Sequence, residues 1–186
     1  MEYFHIIRTI IISFIISLLL GPLIIPILKR LKVGQSIREE GPKSHLSKSG
    51  TPTMGGIIIF MALLITVVTS GLITKDIILL IVSTLGFGLI GFLDDYIKII
   101  KKRNLGLRAY QKLIAQIILA VILAIYQSNT SAVGTKIIIP FLPDHYLDLG
   151  ILYIPFIVFV VVGTVNSVNL TDGLDGLATG VSIIVL

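Results

Sequence analysis

Six apolar blocks, half of them long enough to cross a bilayer on their own, dominate this sequence and leave few folds open to it. They cover residues 6–28, 55–73, 77–93, 113–126 and 151–165, with a sixth beginning near Leu177. Blocks of this kind differ from the interrupted apolar stripes that build a soluble core. The composition agrees: 55% of residues are hydrophobic and 13% charged, against about a quarter charged in ordinary soluble domains. The expected fold is an all-α polytopic membrane protein with about six transmembrane helices, the last one truncated.

The first block lacks the basic n-region and small-residue cleavage site of a secretory leader, so it reads as a retained helix, kinked near Pro22. The second and third are separated only by residues 71–76, which predicts a tight helical hairpin. The fourth is short for a span, and Gln111 and Lys112 extend it by snorkelling. Between the fourth and fifth, residues 136–140 and 146–149 flank a Pro-Asp pair and predict a small β-hairpin within 127–150.

Twelve basic residues fall in two loops, Lys29, Arg30, Lys32, Arg38, Lys43 and Lys48 in one and Lys98, Lys101, Lys102, Arg103, Arg108 and Lys112 in the other. The opposite side holds Arg8, Lys75 and Lys136. By the positive-inside rule the loops 29–54, 94–112 and 166–176 are cytoplasmic and the N-terminus is outside. The net charge of +5 therefore reports topology and anionic substrates; without interleaved aromatics it does not point to nucleic acid. Cysteine is absent, so any metal is held by oxygen or imidazole.

Three clusters carry chemistry. Asp94 and Asp95 fall where the third helix reaches the cytoplasm, a position at which the helix dipole and their mutual repulsion both disfavour carboxylates. Either Lys98 one turn on, with solvent and a helix that continues into the basic run 98–103, or a divalent cation offsets that charge. The segment 166–176, Asn-Ser-Val-Asn-Leu-Thr-Asp-Gly-Leu-Asp-Gly, holds Asn169, Asp172 and Asp175 without any lysine or arginine. It reads as helix-capping punctuation or as a loop that receives a cation or a sugar. The segment 41–56 places Lys43, Lys48 and hydroxyl residues before the second span, either as an ordinary positive-inside loop or as a pyrophosphate cradle. His45 reads as a surface histidine, and His5 and His145 lie toward the other face.

The stretches GPKSHLSKSGTPTMGG, GFLDDYIKIIKKRNLGLRAYQKL and NSVNLTDGLDGLA resemble the bacterial phospho-N-acetylmuramoyl-pentapeptide transferases, the translocase I family. The likeness runs from about Ile6 to the end of the chain. It implies Mg²⁺-dependent transfer of phospho-MurNAc-pentapeptide from UDP-MurNAc-pentapeptide to undecaprenyl phosphate, giving lipid I and UMP in peptidoglycan synthesis. It also implies a multi-pass enzyme of the bacterial plasma membrane acting at the cytoplasmic face beside membrane lipid, with a homodimer among the assemblies open to it. By motif, Asp94 would be the base and Asp95 would support metal or phosphate geometry. Asn169 and Asp172 would line the metal and donor site, and Asp175 would support that loop. Lys48 and Thr53 would contact the donor, and Lys98 and Lys112 would meet phosphates or the nucleotide.

The family has about ten membrane helices, and its later half supplies a further acidic ligand, nucleoside contacts and a histidine-rich loop. Residues 1–186 are accordingly expected to be one transmembrane domain, the N-terminal part of a longer enzyme, and inactive alone. Two alternatives remain at this level: a GlcNAc-1-phosphate transferase using the same lipid, and a non-catalytic membrane scaffold. A transporter would place its ionisable residues near mid-span, whereas these acids fall at span ends.

Overall fold

The computed structural model describes residues 2–30, 52–71, 73–101, 105–130, 133–139, 142, 145–173 and 176–185. Among the described residues six helices follow in chain order: α1 (Glu2–Arg30), α2 (Gly56–Ser70), α3 (Lys75–Ile100), α4 (Ala109–Thr130), α5 (Tyr153–Thr171) and α6 (Leu177–Val185). Strands β1 (Lys136–Ile138) and β2 (Tyr146–Asp148) lie between α4 and α5. Among the described residues four segments are long and apolar enough to cross a membrane, namely Phe4–Arg30, Lys75–Ile100, Ala109–Thr130 and Gly150–Thr171. The protein is thus an all-α polytopic membrane protein with one small hairpin, as expected.

The chain forms two compact units, Met1–Lys112 and Leu113–Leu186. In the first, α1 packs on α2, and Leu28, Ala62, Thr66, Ile90 and Gly106 are its buried residues among those described. Thr66 buries its hydroxyl by donating to Ala62 O at 2.7 Å, which satisfies it within its own helix. Helix α2 stops at Gly71, whose φ of 70° gives the left-handed cap that glycine adopts without strain. Helix α3 starts four residues later, at Lys75, because its N-cap Thr74 accepts the Ile77 N–H on Oγ1 at 3.2 Å. Against α3, Phe60 of α2 lies over Gly88 so closely that a Cβ there would overlap its ring.

Two lengths differ from expectation. Helix α2 has 15 residues, so it rises about 22 Å at about 1.5 Å per residue and is shorter than the block from which it was read. Helix α4 has 22 residues and begins at Ala109 rather than at 113. Its early start has a local cause: Gln111 Oε1 reaches back to accept the Arg108 N–H at 3.0 Å, half of a capping box.

In the second unit, Gln116, Ala120 and Ala124 are buried at four-residue intervals along one face of α4. The hairpin pairs Lys136 with Asp148, Ile137 with Leu147 and Ile138 with Tyr146. Its Pro-Asp turn lies outside the described residues. Asp148 locks the open end, accepting Thr135 Oγ1 at 2.6 Å and Gly150 N at 3.0 Å. These contacts, with Lys136 nearby, hold the Asp148 carboxyl below its ordinary value. Large apolar side chains elsewhere face outward, including Phe14, Leu18 and Leu23 of α1 and Phe159 of α5, as lipid-facing helices require.

Candidate active site

Helix α3 does not end at the Asp pair. It continues to Ile100, so Asp94 and Asp95 lie inside its last two turns, where the dipole argument still applies. The extension has a simple electrostatic cause, because Lys98 is one turn further on the same helix. Its Nζ lies 2.7 Å from Asp94 Oδ2 and 2.9 Å from Asp95 Oδ1, so one cation bridges both carboxylates. The two acids differ in setting: the Asp94 side chain is 15% exposed and that of Asp95 33%. Asp94 also accepts the backbone N–H of Leu107 on Oδ1 at 2.8 Å.

In the second unit, the segment read as a loop from residue 166 is largely helical. Helix α5 runs through Asn166 and Asn169 to Thr171, and Asp172 is its C-cap, donating its backbone N–H to Val168 O at 3.1 Å. The capping reading is therefore corrected: Asp172 closes one helix rather than opening the next. The helix persists because its polar side chains are satisfied without unwinding it. Asn166 Nδ2 donates to Val162 O at 2.8 Å and to Gln116 Oε1 at 2.7 Å, and Thr171 Oγ1 donates to Ser167 O at 2.8 Å. Asn169 and Asp172 are exposed. Both acidic positions thus sit at helix C-terminal ends, where negative charge is disfavoured and a cation offsets the cost.

Of the remaining positions, Thr53 lies just before α2 and is partly buried, and Lys112 stands in the first turn of α4. A lysine there is opposed by the helix dipole, so helix stability alone does not account for it. Lys48 and Asp175 lie outside the described residues. Two features escaped the reading of the sequence. Met54 holds a left-handed backbone, φ 65°, which costs a non-glycine residue about 1–2 kcal/mol; the neighbouring glycines were the clue. The return of Gly106 and Leu107 onto Asp94 had only a lone glycine in a short loop to signal it.

A family model described as glycosyl transferase family 4 matches residues 77–186, which span both acidic segments. The chain belongs to glycosyl transferase family 4. Residues 48–60 of this family 4 chain also match the phospho-N-acetylmuramoyl-pentapeptide-transferase signature 1. The chain is 64% identical to the phospho-N-acetylmuramoyl-pentapeptide-transferase of Alkaliphilus metalliredigens (strain QYMF) over 195 residues, which is 100% of this chain and 59% of that protein. The enzyme of the same name from Clostridioides difficile (strain 630) is 51% identical over 177 residues, 95% of this chain and 55% of that protein. That from Clostridium beijerinckii (strain ATCC 51743 / NCIMB 8052) is 54% identical over 184 residues, 97% and 56% of the two chains. The chain therefore spans a little over half the length of these relatives, and the likeness drawn from its three motifs holds.

Proposed function

We propose that this chain serves the transfer of phospho-MurNAc-pentapeptide from its UDP carrier to undecaprenyl phosphate, with release of UMP and formation of lipid I. The observation that carries the reading is the pair Asp94 and Asp95 bridged by Lys98 near the end of a membrane-spanning helix. Carboxylates and a lysine at that depth suit a reaction joining a water-soluble phosphorylated donor to a lipid phosphate. The signature at residues 48–60 and the names of the relatives support the muramoyl-pentapeptide donor over other sugar nucleotides. The concentration of basic residues in two loops supports a cytoplasmic active face in the bacterial plasma membrane, with the N-terminus outside.

Asp94 removes the proton from the lipid phosphate, whose oxygen attacks the sugar-bearing phosphorus of the donor. The bond to the UMP oxygen breaks, and UMP leaves as a new diphosphate bond forms. Direct attack is favoured over a covalent aspartyl intermediate because it needs only positioning, charge neutralisation and a base. Lys98 and Lys112 contact the phosphates, as Lys48 and Thr53 contact the donor.

Among the described residues no three His, Cys, Asp or Glu side chains gather into a metal cage. The exposed carboxamide of Asn169 and carboxylate of Asp172 at the end of α5 are oxygen donors that suit Mg²⁺, which takes one or two protein carboxylates and fills its shell with water and substrate phosphate. Asn169 and Asp172 are the residues that would hold it, with Asp175 supporting their segment and Asp95 supporting metal or phosphate geometry. Bound there, the ion would neutralise diphosphate charge. The test is UMP release by the purified full-length gene product with undecaprenyl phosphate and either UDP-MurNAc-pentapeptide or UDP-GlcNAc. Release with the first donor alone, abolished by EDTA and restored by Mg²⁺, is expected. Release with UDP-GlcNAc alone would reassign the donor, and release with neither would sink the transferase reading.

A further inference from the structure

We infer that the Gly106–Leu107 turn is the positioning element of Asp94, holding its carboxylate by a backbone amide so that one oxygen stays aimed at substrate. The inference rests on the transferase reading above. Three observations converge on it. Leu107 N–H donates to Asp94 Oδ1 at 2.8 Å, across thirteen residues of sequence. Gly106 approaches so closely that a Cβ on it would overlap both the carboxylate and the backbone carbonyl of Asp94. Lys98 takes the other oxygen, Oδ2, and shares itself with Asp95.

The two oxygens of Asp94 are therefore held differently. Oδ1 is tied to the main chain, which has little freedom once the turn is formed. Oδ2 is tied to a lysine ammonium on a flexible stem. A phosphate that draws Lys98 toward itself frees Oδ2 without releasing Oδ1, and the carboxylate keeps its orientation when its basic oxygen becomes available. Asp95 makes its one described contact to the same lysine and is twice as exposed, so it lacks this second anchor. A turn that merely closed the connection between α3 and α4 would need neither a carboxylate acceptor nor a residue without Cβ at position 106.

The test replaces Leu107 in the full-length gene product by its 2-hydroxy acid, which turns the donating amide into an ester while keeping the side chain. A hydrogen bond to a charged group is worth roughly tenfold to a hundredfold in an equilibrium. The ester is expected to lower kcat by about tenfold or more while the KM values for both substrates stay within about twofold, the pattern of a contact that matters only as the reaction proceeds. Gly106→Ala is expected to give the same split, and Leu105→Ala, an exposed side chain in the same turn, to leave kcat essentially unchanged. If the wild type is active and the ester keeps its kcat, or loses only KM, the positioning inference falls alone. If the wild type transfers neither sugar phosphate, the transferase reading falls and takes the inference with it.

Discussion

Asn166 on α5 donates its side-chain amide to Gln116 Oε1 on α4 at 2.7 Å, fifty residues away in sequence. Gln116 is 1% exposed and is the largest fully buried side chain among the described residues. The bond ties the polar end of α5, which carries Asn169 and Asp172, to the buried face of α4. Because membrane helices gain little hydrophobic energy from meeting one another, such bonds and close contacts between small side chains carry much of their association.

Replacing Gln116 by leucine keeps the volume and removes the acceptor. The expected loss of stability is about 0.6 to 1.7 kcal/mol, the range for hydrogen bonds between membrane helices. Asn166 retains Val162 O as a partner, which keeps the cost from rising further. Unfolding midpoints of wild type and variant in the same detergent measure it, and an unchanged midpoint would show that the pair contributes nothing.

Lys98→Met separates stability from chemistry. The ion pairs it removes are about one third exposed on the lysine side, and pairs of that kind stabilise by at most about 1 kcal/mol. Transfer should nevertheless fall by about a hundredfold or more, as when an electrostatic contact to the reacting phosphates is lost. Parallel measurement of thermal unfolding and UMP release checks both halves.

Acid should loosen the hairpin through Asp148. Its carboxyl titrates below the ordinary value when folded, first because Thr135 donates to it and then because Gly150 N–H does. A depressed folded value means that the stabilisation is fully present above the unfolded value, near pH 4, and is lost as pH falls through the lower folded one. Protection of the Ile137 and Leu149 amides, measured as exchange relative to the intrinsic rate at each pH, should therefore fall below about pH 4, and Asp148→Asn should flatten that dependence. A variant with the same acid response as wild type would remove Asp148 as the cause.

The apolar blocks made the helix order legible, and short motifs made the family legible, because both are local patterns. Helix ends were harder. Asn166, Ser167 and Asn169 looked like punctuation, yet a partner on another helix lets Asn166 stay inside α5, and no local pattern reveals that partner. Asp94 and Asp95 fall where charge usually marks a span's end, and Lys98 one turn on signalled the alternative that the structure bears out, a helix that continues, here to Ile100. The contact between Leu107 and Asp94 needs the chain to reverse between them, and sequence spacing does not fix such a reversal.

Helix α2 is about 22 Å long, whereas the hydrocarbon layer of a typical bilayer is about 30 Å thick. Hydrophobic mismatch of that size is met by local thinning of the bilayer or by flanking side chains that reach for the interface. Lipid acyl-chain length thus becomes a variable acting on α2 and on Thr53 and Met54 at its entrance, and short-chain lipids should suit this protein better than long ones.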